Sequence, residues 1–195
     1  MVKEPGDFTE EQGRCLLRLA RFTIMRHLNL SPPPAEEEEL AVQLADPAFE
    51  VKRGIFVTLT IGGALRGCIG SLAAYESVRQ GVQRHAVNAA FNDQRFPPLT
   101  VSELPEVDIE ISVLTEPRPL QFSNVDELPT KLRPGIDGVI LRRGTASATF
   151  LPQVWEQLPQ VDEFMRHLCL KAGLAPEAWR QSGCTIETYQ VQHFL

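Results

Sequence analysis

Net positive charge, paired cysteines and long apolar runs are all scarce in this chain. Asp and Glu outnumber Lys and Arg by 25 to 19, which leaves a net charge of −6. Phosphate binding needs a basic face, so this balance argues against nucleic acid as a main partner. The local clusters Arg142-Arg143 and Lys131/Arg133 fit a solvated surface equally well. The four cysteines, Cys15, Cys68, Cys169 and Cys184, form no CxxC pair. Neither a disulfide framework nor a zinc site is suggested by spacing, and free thiols in a reducing cytosol are expected. No stretch approaches the roughly 20 apolar residues of a membrane span. The opening Met1-Val2-Lys3-Glu4-Pro5 lacks the apolar core of a signal peptide. A soluble cytoplasmic protein with no membrane partner is therefore expected. No P-loop is present, because Gly62-Gly63 is a turn with no phosphate cradle after it, and no cofactor is called for. No low-complexity linker divides the 195 residues, so one domain, or one domain with two lobes, is expected.

The elements that are present can be read from their periodicity. Thr9 and Gln12 have capping-box spacing, and Leu16, Leu19, Ala20 and Ile24 carry a helical stripe to about Leu28. Asn29 to Pro34 breaks that helix, and the acidic run Glu36 to Glu39 suits the first turn of a second one. The apolar run Gly54 to Thr60 and the segment Leu65 to Gly70 flank Gly62-Gly63 as a hairpin. A helix over about 76–93 buries Val78, Val82, Ala86, Ala89 and Ala90, and must end before Arg95-Phe96-Pro97-Pro98. Val107 to Val113 alternates apolar and polar residues, the pattern of a strand with one buried and one wet face. An irregular crossing follows over 117–134. Next come a second hairpin about Gly144, a helix over about 160–172 stopped by Gly173, a short helix at Pro176 and a strand over 185–191. The order hairpin, helix, strand occurs twice.

The chemistry concentrates in Leu65-Arg66-Gly67-Cys68-Ile69-Gly70. The reading places Cys68 near the end of a hairpin strand, with a fixed cation two residues away and glycines that permit close approach. A thiol near a cation ionises more readily, and the thiolate is the nucleophile. The alternative is a small cysteine packed where a larger side chain would clash. Residues i and i+2 share a strand face only where the strand is regular, so Arg66 serves Cys68 on that condition. Arg66, Asp93 and Arg95 could line one cleft, with the two guanidiniums holding a carboxylate or phosphate and Asp93 orienting them. The alternative is a structural ion pair, Asp93 with Arg95 or Arg66, that pins the proline-rich turn. His85, on the helix after Cys68, is a candidate general base and more readily a half-buried structural histidine. Gln153, after Pro152 at a strand end, could orient a ligand.

At these residues the chain resembles AMMECR-type domains, the family also called AmmeMemoRadiSam system protein A. The matching stretches run in family order: Gly54-Ile55-Phe56-Val57-Thr58-Leu59, Leu65 to Gly70, Ala89-Ala90-Phe91-Asn92-Asp93, Arg95-Phe96-Pro97-Pro98-Leu99, Ser112-Val113-Leu114, Leu151-Pro152-Gln153-Val154 and Lys171-Ala172-Gly173-Leu174. They cover a single domain from Phe8 to Leu195, with residues 1–7 as an N-terminal tail. The resemblance implies an α+β fold with a barrel-like mixed or antiparallel sheet, flanking helices, two strand–helix repeats and two lobes about a cleft. It also implies a setting beside a Memo-like protein and a radical S-adenosylmethionine enzyme. Eukaryotic relatives have been linked to growth and development.

Two functions follow. In one, the chain is an enzyme or enzyme subunit acting on a small anionic metabolite. Cys68 is then the nucleophile, and Arg66, Gly67, Asp93, Arg95 and Gln153 form the ligand site, with no metal. In the other, the same groove takes a peptide or partner protein, and Cys68 is only packed.

Overall fold

The computed structural model describes residues 7–195. Of the tail expected over residues 1–7, all but Asp7 therefore lies outside the described residues. The chain divides into two compact units. One runs through Thr115 and includes Gln192–Leu195; the other is Glu116–Val191.

The first unit opens with α1 (Glu10–His27), which begins where its capping box lies. Gln12 donates its backbone N–H to the Thr9 hydroxyl at 3.1 Å, and Thr9 donates its own to the Gln12 side chain at 2.8 Å. Pro33 caps the short helix α2 (Pro34–Gln43), so the third proline starts a helix instead of extending the break. Its fixed φ suits the first helical position, where no N–H is needed. Strands β1 (Ile55–Ile61) and β2 (Ala64–Ser71) are joined by Gly62 and Gly63, both at positive φ (56° and 78°), as a tight right-twisted hairpin requires. Helix α3 (Val78–Val87) carries a second capping box, Ser77 with Gln80. The helix expected to continue to Asp93 instead widens at Asn88–Asn92 into a π-helical turn. Strand β3 (Val107–Leu114) then pairs antiparallel with β1.

The second unit contains the two-residue strand β4 (Arg118–Pro119) and the single-turn helix α4 (Leu128–Lys131). The hairpin β5 (Gly138–Arg143) and β6 (Ala146–Phe150) follows, then α5 (Val161–Lys171) and β7 (Thr185–Tyr189). The segment after Pro176 forms a 3-10 turn, Ala178–Arg180. The terminal strand expected over 185–191 is two strands. It breaks at Gln190, and β8 (Val191–Phe194) joins the sheet of the first unit.

The expected α+β class holds, but a barrel-like sheet does not form. The strands make two separate four-stranded sheets, ordered β2-β1-β3-β8 and β4-β7-β5-β6. Neither closes, because the tail is shared between them and the end strands β4 and β8 are two and four residues long. In each sheet the first hairpin strand is central, flanked by its hairpin partner and by the strand that follows the helix. Each unit has its own core. In the first, the inward residues Ile55, Val57 and Leu59 of β1 pack with Leu16, Leu19 and Ile24 of α1 and Val82 and Ala86 of α3. In the second, Trp155 stacks on Phe164 at 3.6 Å among Leu141, Met165, Leu168 and Trp179. Among the described residues no helix is long and apolar enough to cross a membrane.

Candidate functional site

The site is built around the edge strand β2. Cys68 lies in mid-strand opposite Thr58, not at the strand end that the sequence suggested. Alternation turns Gly67 and Ile69 toward the helices and Cys68 and Gly70 toward the outer face. Both glycines are needed there. A Cβ at Gly67 would lie 2.1 Å from the Ala89 carbonyl oxygen, so glycine lets the π-helical turn sit against the strand. A Cβ at Gly70 would lie 2.3 Å from the Phe56 ring, which covers that position from β1. Gly67 thus acts here through close backbone packing.

The register slips between Leu59, paired with Gly67, and Thr60, paired with Leu65. Arg66 is therefore the extra residue of a β-bulge, and the regular alternation that would put it beside Cys68 is lost. Its side chain is held elsewhere. Arg66 Nε donates to Glu103 Oε1 at 2.8 Å, and Nη2 donates to Glu103 Oε2 at 3.3 Å and to the Pro98 carbonyl at 3.4 Å. The Arg66 fork, together with the Thr100 hydroxyl and N–H, brings the Glu103 carboxyl down to about 2. Arg66 Nη1 is buried with no partner among the described residues.

Asp93 and Arg95 grip Cys68 by its backbone. On an edge strand, alternate residues turn both N–H and C=O away from the sheet. At Cys68 the N–H donates to Asp93 Oδ2 at 2.9 Å, and the carbonyl accepts from Arg95 Nη2 at 3.2 Å. The side-chain pair takes the place that a further strand would occupy, which also blunts the edge. Arg95 in turn holds Asp93 through its backbone N–H, Nε and Nη2, at 3.2, 2.9 and 2.7 Å. Asp93 is 5% exposed. The Arg95 guanidinium holds its carboxyl well below the usual carboxylate range, against the burial that would raise it. The π-helical turn and the Phe96 N–H bond to the Asp93 carbonyl (3.0 Å) set the backbone from which Asp93 reaches β2.

The half-buried Cys68 thiol accepts from the Thr58 hydroxyl at 3.3 Å. Thr58 pairs across β1 and β3 with Glu110, so Cys68, Thr58 and Glu110 form one row on the outer face. From β8, His193 Nδ1 lies 3.0 Å from Glu110 Oε1 and 3.2 Å from Ser112 Oγ. The bond to His193 holds the Glu110 carboxyl below its ordinary value. The other three thiols are pushed up, first of all by burial.

Of the seven residues singled out in the sequence, Cys68, Asp93 and Arg95 are joined directly, Gly67 is their neighbour and Arg66 is held in the adjoining bulge. Gln153 is exposed on a 3-10 turn, Pro152–Glu156, of the second unit. His85 is buried on α3, with Nε2 3.2 Å from Arg84 Nη2, and burial lowers its pKa. Thr58, Glu103, Glu110, Ser112 and His193 were not found from the sequence. The alternating Asp108, Glu110 and Ser112 of β3 marked a wet face, but nothing local marked what would meet it.

The AMMECR1 family model matches residues 17–194. A protein of Methanosarcina barkeri is 38% identical over 187 residues, 95% of this chain and 91% of its own length. One of Methanopyrus kandleri is 40% identical over 194 residues, covering 95% and 89%. The crystal structure of an uncharacterized protein from Pyrococcus horikoshii superposes with a TM-score of 0.74 at 31% identity, over 95% of this chain and 92% of that one. The chain belongs to the AMMECR1 family.

Proposed function

We propose that the outer face of the first sheet is a small-molecule site with Cys68 as its reactive group. In this reading the chain is an enzyme, or an enzyme subunit, that handles a small metabolite beside a Memo-like protein and a radical S-adenosylmethionine enzyme. One observation carries it: a half-buried thiol bonded to a hydroxyl, on an edge strand whose backbone N–H and C=O at that residue are both held, by Asp93 and Arg95. The Thr58 hydroxyl fixes the sulfur on the outer face, while the other three thiols are held protonated first of all by burial. The thiolate, its proton given to solvent, would add to the carbon of a carbonyl group of the ligand, the C=O π pair moving to the oxygen, which takes up a proton from solvent.

The anion-holding role is narrower than the sequence suggested. Both guanidiniums already bind a carboxylate, Arg66 with Glu103 and Arg95 with Asp93. What is left for an anionic group is the solvent side of Arg95, 56% exposed, because the unpartnered Arg66 Nη1 is buried.

The alternative is a non-catalytic interaction module, in which Cys68 is a packing residue. The pH dependence of iodoacetamide alkylation, read cysteine by cysteine, separates the two, with Cys15, Cys169 and Cys184 as internal references. Cys68 is expected to alkylate at least tenfold faster than each of them at pH 7. A Cys68 that stays inert until the chain unfolds would leave the module reading.

A further inference from the structure

We infer that His193 is the proton-handling group at the far end of the same face, and that the ligand is an elongated polar molecule with an acidic O–H or N–H remote from its thiol-reactive carbon. This rests on the reading of the outer face as a ligand site.

The two ring nitrogens of His193 are not equivalent. Glu110 and Ser112 both meet His193 at Nδ1. The carboxylate can only accept, so the neutral ring carries its proton on Nδ1 and leaves the lone pair on Nε2. The side chain is 39% exposed, and its contacts with Glu110 and Ser112 leave Nε2 uninvolved. Ser112 Oγ also lies 3.3 Å from Glu110 Oε1. A serine nucleophile activated by histidine must face the nitrogen opposite the acid. Here serine and acid share one nitrogen, so Ser112 is a second anchor for the ring. The base that the pair prepares is directed at something outside the chain.

The sheet then gives the scale. Cys68 is on β2, Thr58 on β1, Glu110 on β3 and His193 on β8, in the order of the strands. Three inter-strand spacings put the backbones of Cys68 and His193 about 14 Å apart. His193 is therefore too distant to deprotonate Cys68. The two groups serve opposite ends of one ligand, with the Thr58 hydroxyl and the Glu110 carboxylate along its length. Glu110 and the neighbouring exposed Asp108 make the middle of the row unfavourable for an anion. An anionic group belongs at the Arg95 end.

A tethered reporter tests this on the full chain. Cys68 is alkylated with an iodoacetyl derivative of 3-nitrotyramine, whose nitrophenol reaches about 10–12 Å, two to three inter-strand spacings. The phenolate absorbance is then titrated in the native chain and in His193→Gln. A base at the end of the tether lowers the phenol midpoint, and about half a pH unit or more between the two proteins is expected. Equal midpoints on labelled Cys68 would overturn the role of His193 and leave the site reading standing. Failure of Cys68 to label would overturn both. In the unaltered chain, nitrogen-15 NMR of the ring should show the Nδ1–H tautomer at alkaline pH. The Nε2–H tautomer there would overturn the inference without recourse to any variant.

Discussion

Each unit buries one aspartate under an exposed arginine, and the two clamps differ in what else they hold. Asp93 and Asp137 are 5% and 2% exposed, and their arginines are both more than half exposed. Each aspartate accepts from the backbone N–H, Nε and Nη2 of its arginine. Asp137 and Arg133 are four residues apart, and their mutual bonds close a loop ahead of β5. Asp93 keeps an oxygen for the Cys68 N–H, 25 residues away, and Arg95 keeps a nitrogen for the Cys68 carbonyl. The same local device closes a turn in one unit and fixes a strand edge in the other. The outer faces differ too. The row through Cys68, Thr58 and Glu110 is polar throughout, whereas the row Thr149, Ile140, Glu187 of the second sheet has an aliphatic residue in its middle.

The largest effect should come from denying the π-helical turn its seat. In Gly67→Ala the new methyl meets a backbone carbonyl that cannot rotate away, and about 3 kcal/mol of stability should be lost, read as a lower urea midpoint. The counterpart is Gly138, whose added Cβ would meet the Tyr189 ring at 2.4 Å. A ring can tilt where a carbonyl cannot, so Gly138→Ala should cost less, about 2 kcal/mol. A larger loss at Gly138 would remove the special status of the first edge.

Next comes the clamp itself. Asp93→Ala strands the Cys68 N–H and frees Arg95, at a cost of about 2 kcal/mol. Its signature is local: hydrogen exchange at the Cys68 amide should accelerate well beyond the global change. Asp137→Ala should release its own loop and leave the β5–β7 ladder amides protected. If ladder protection in the second sheet falls as far, the two clamps are equivalent and the comparison breaks.

Acid should sharpen the difference. Asp93 and Glu103 titrate lower in the fold than their ordinary values of 3.8 and 4.5. As pH falls, the unfolded chain takes up these protons first, so stability falls with pH. The contribution is complete above about pH 4.5 and is lost as pH drops through the folded values, about 2 for Glu103 and below the usual carboxylate range for Asp93. Urea midpoints measured between pH 5 and pH 2 should decline less steeply in Asp93→Asn and Glu103→Gln than in the native chain. Unchanged slopes would mean that neither carboxylate is linked to folding.

What the sequence revealed and what it hid divide along chain distance. The Thr9 capping box, the Gly62-Gly63 turn, the wet face of β3 and the pairing of Asp93 with Arg95 are local patterns, whereas the hold of that pair on Cys68, 25 residues from Asp93, depended on how the helix packs against the hairpin. The bulge at Arg66 is a property of two strands in register and cannot be read from either alone. Glu103 lies 37 residues from Arg66, and His193 lies 83 from Glu110. The break at Gln190 was missed because 185–191 alternates smoothly while its two halves pair in different sheets. Periodicity says which side of a strand is wet, and only pairing says what will stand beside it.

The smallest structural effect should come from the most chemically exposed residue. Cys68→Ser keeps a small side chain opposite Thr58 and leaves untouched the backbone N–H and C=O that Asp93 and Arg95 hold. The change swaps one weak hydrogen bond, Thr58 to sulfur, for one between hydroxyls, so stability should move by less than about 1 kcal/mol. The same substitution should remove the fast iodoacetamide reaction entirely. The clamp's energy would then reside in the backbone at position 68 and not in its side chain, leaving the side chain free for chemistry. A loss as large as that of Asp93→Ala would reverse this assignment, because the thiol would then be holding the edge together and could not be spared for a ligand.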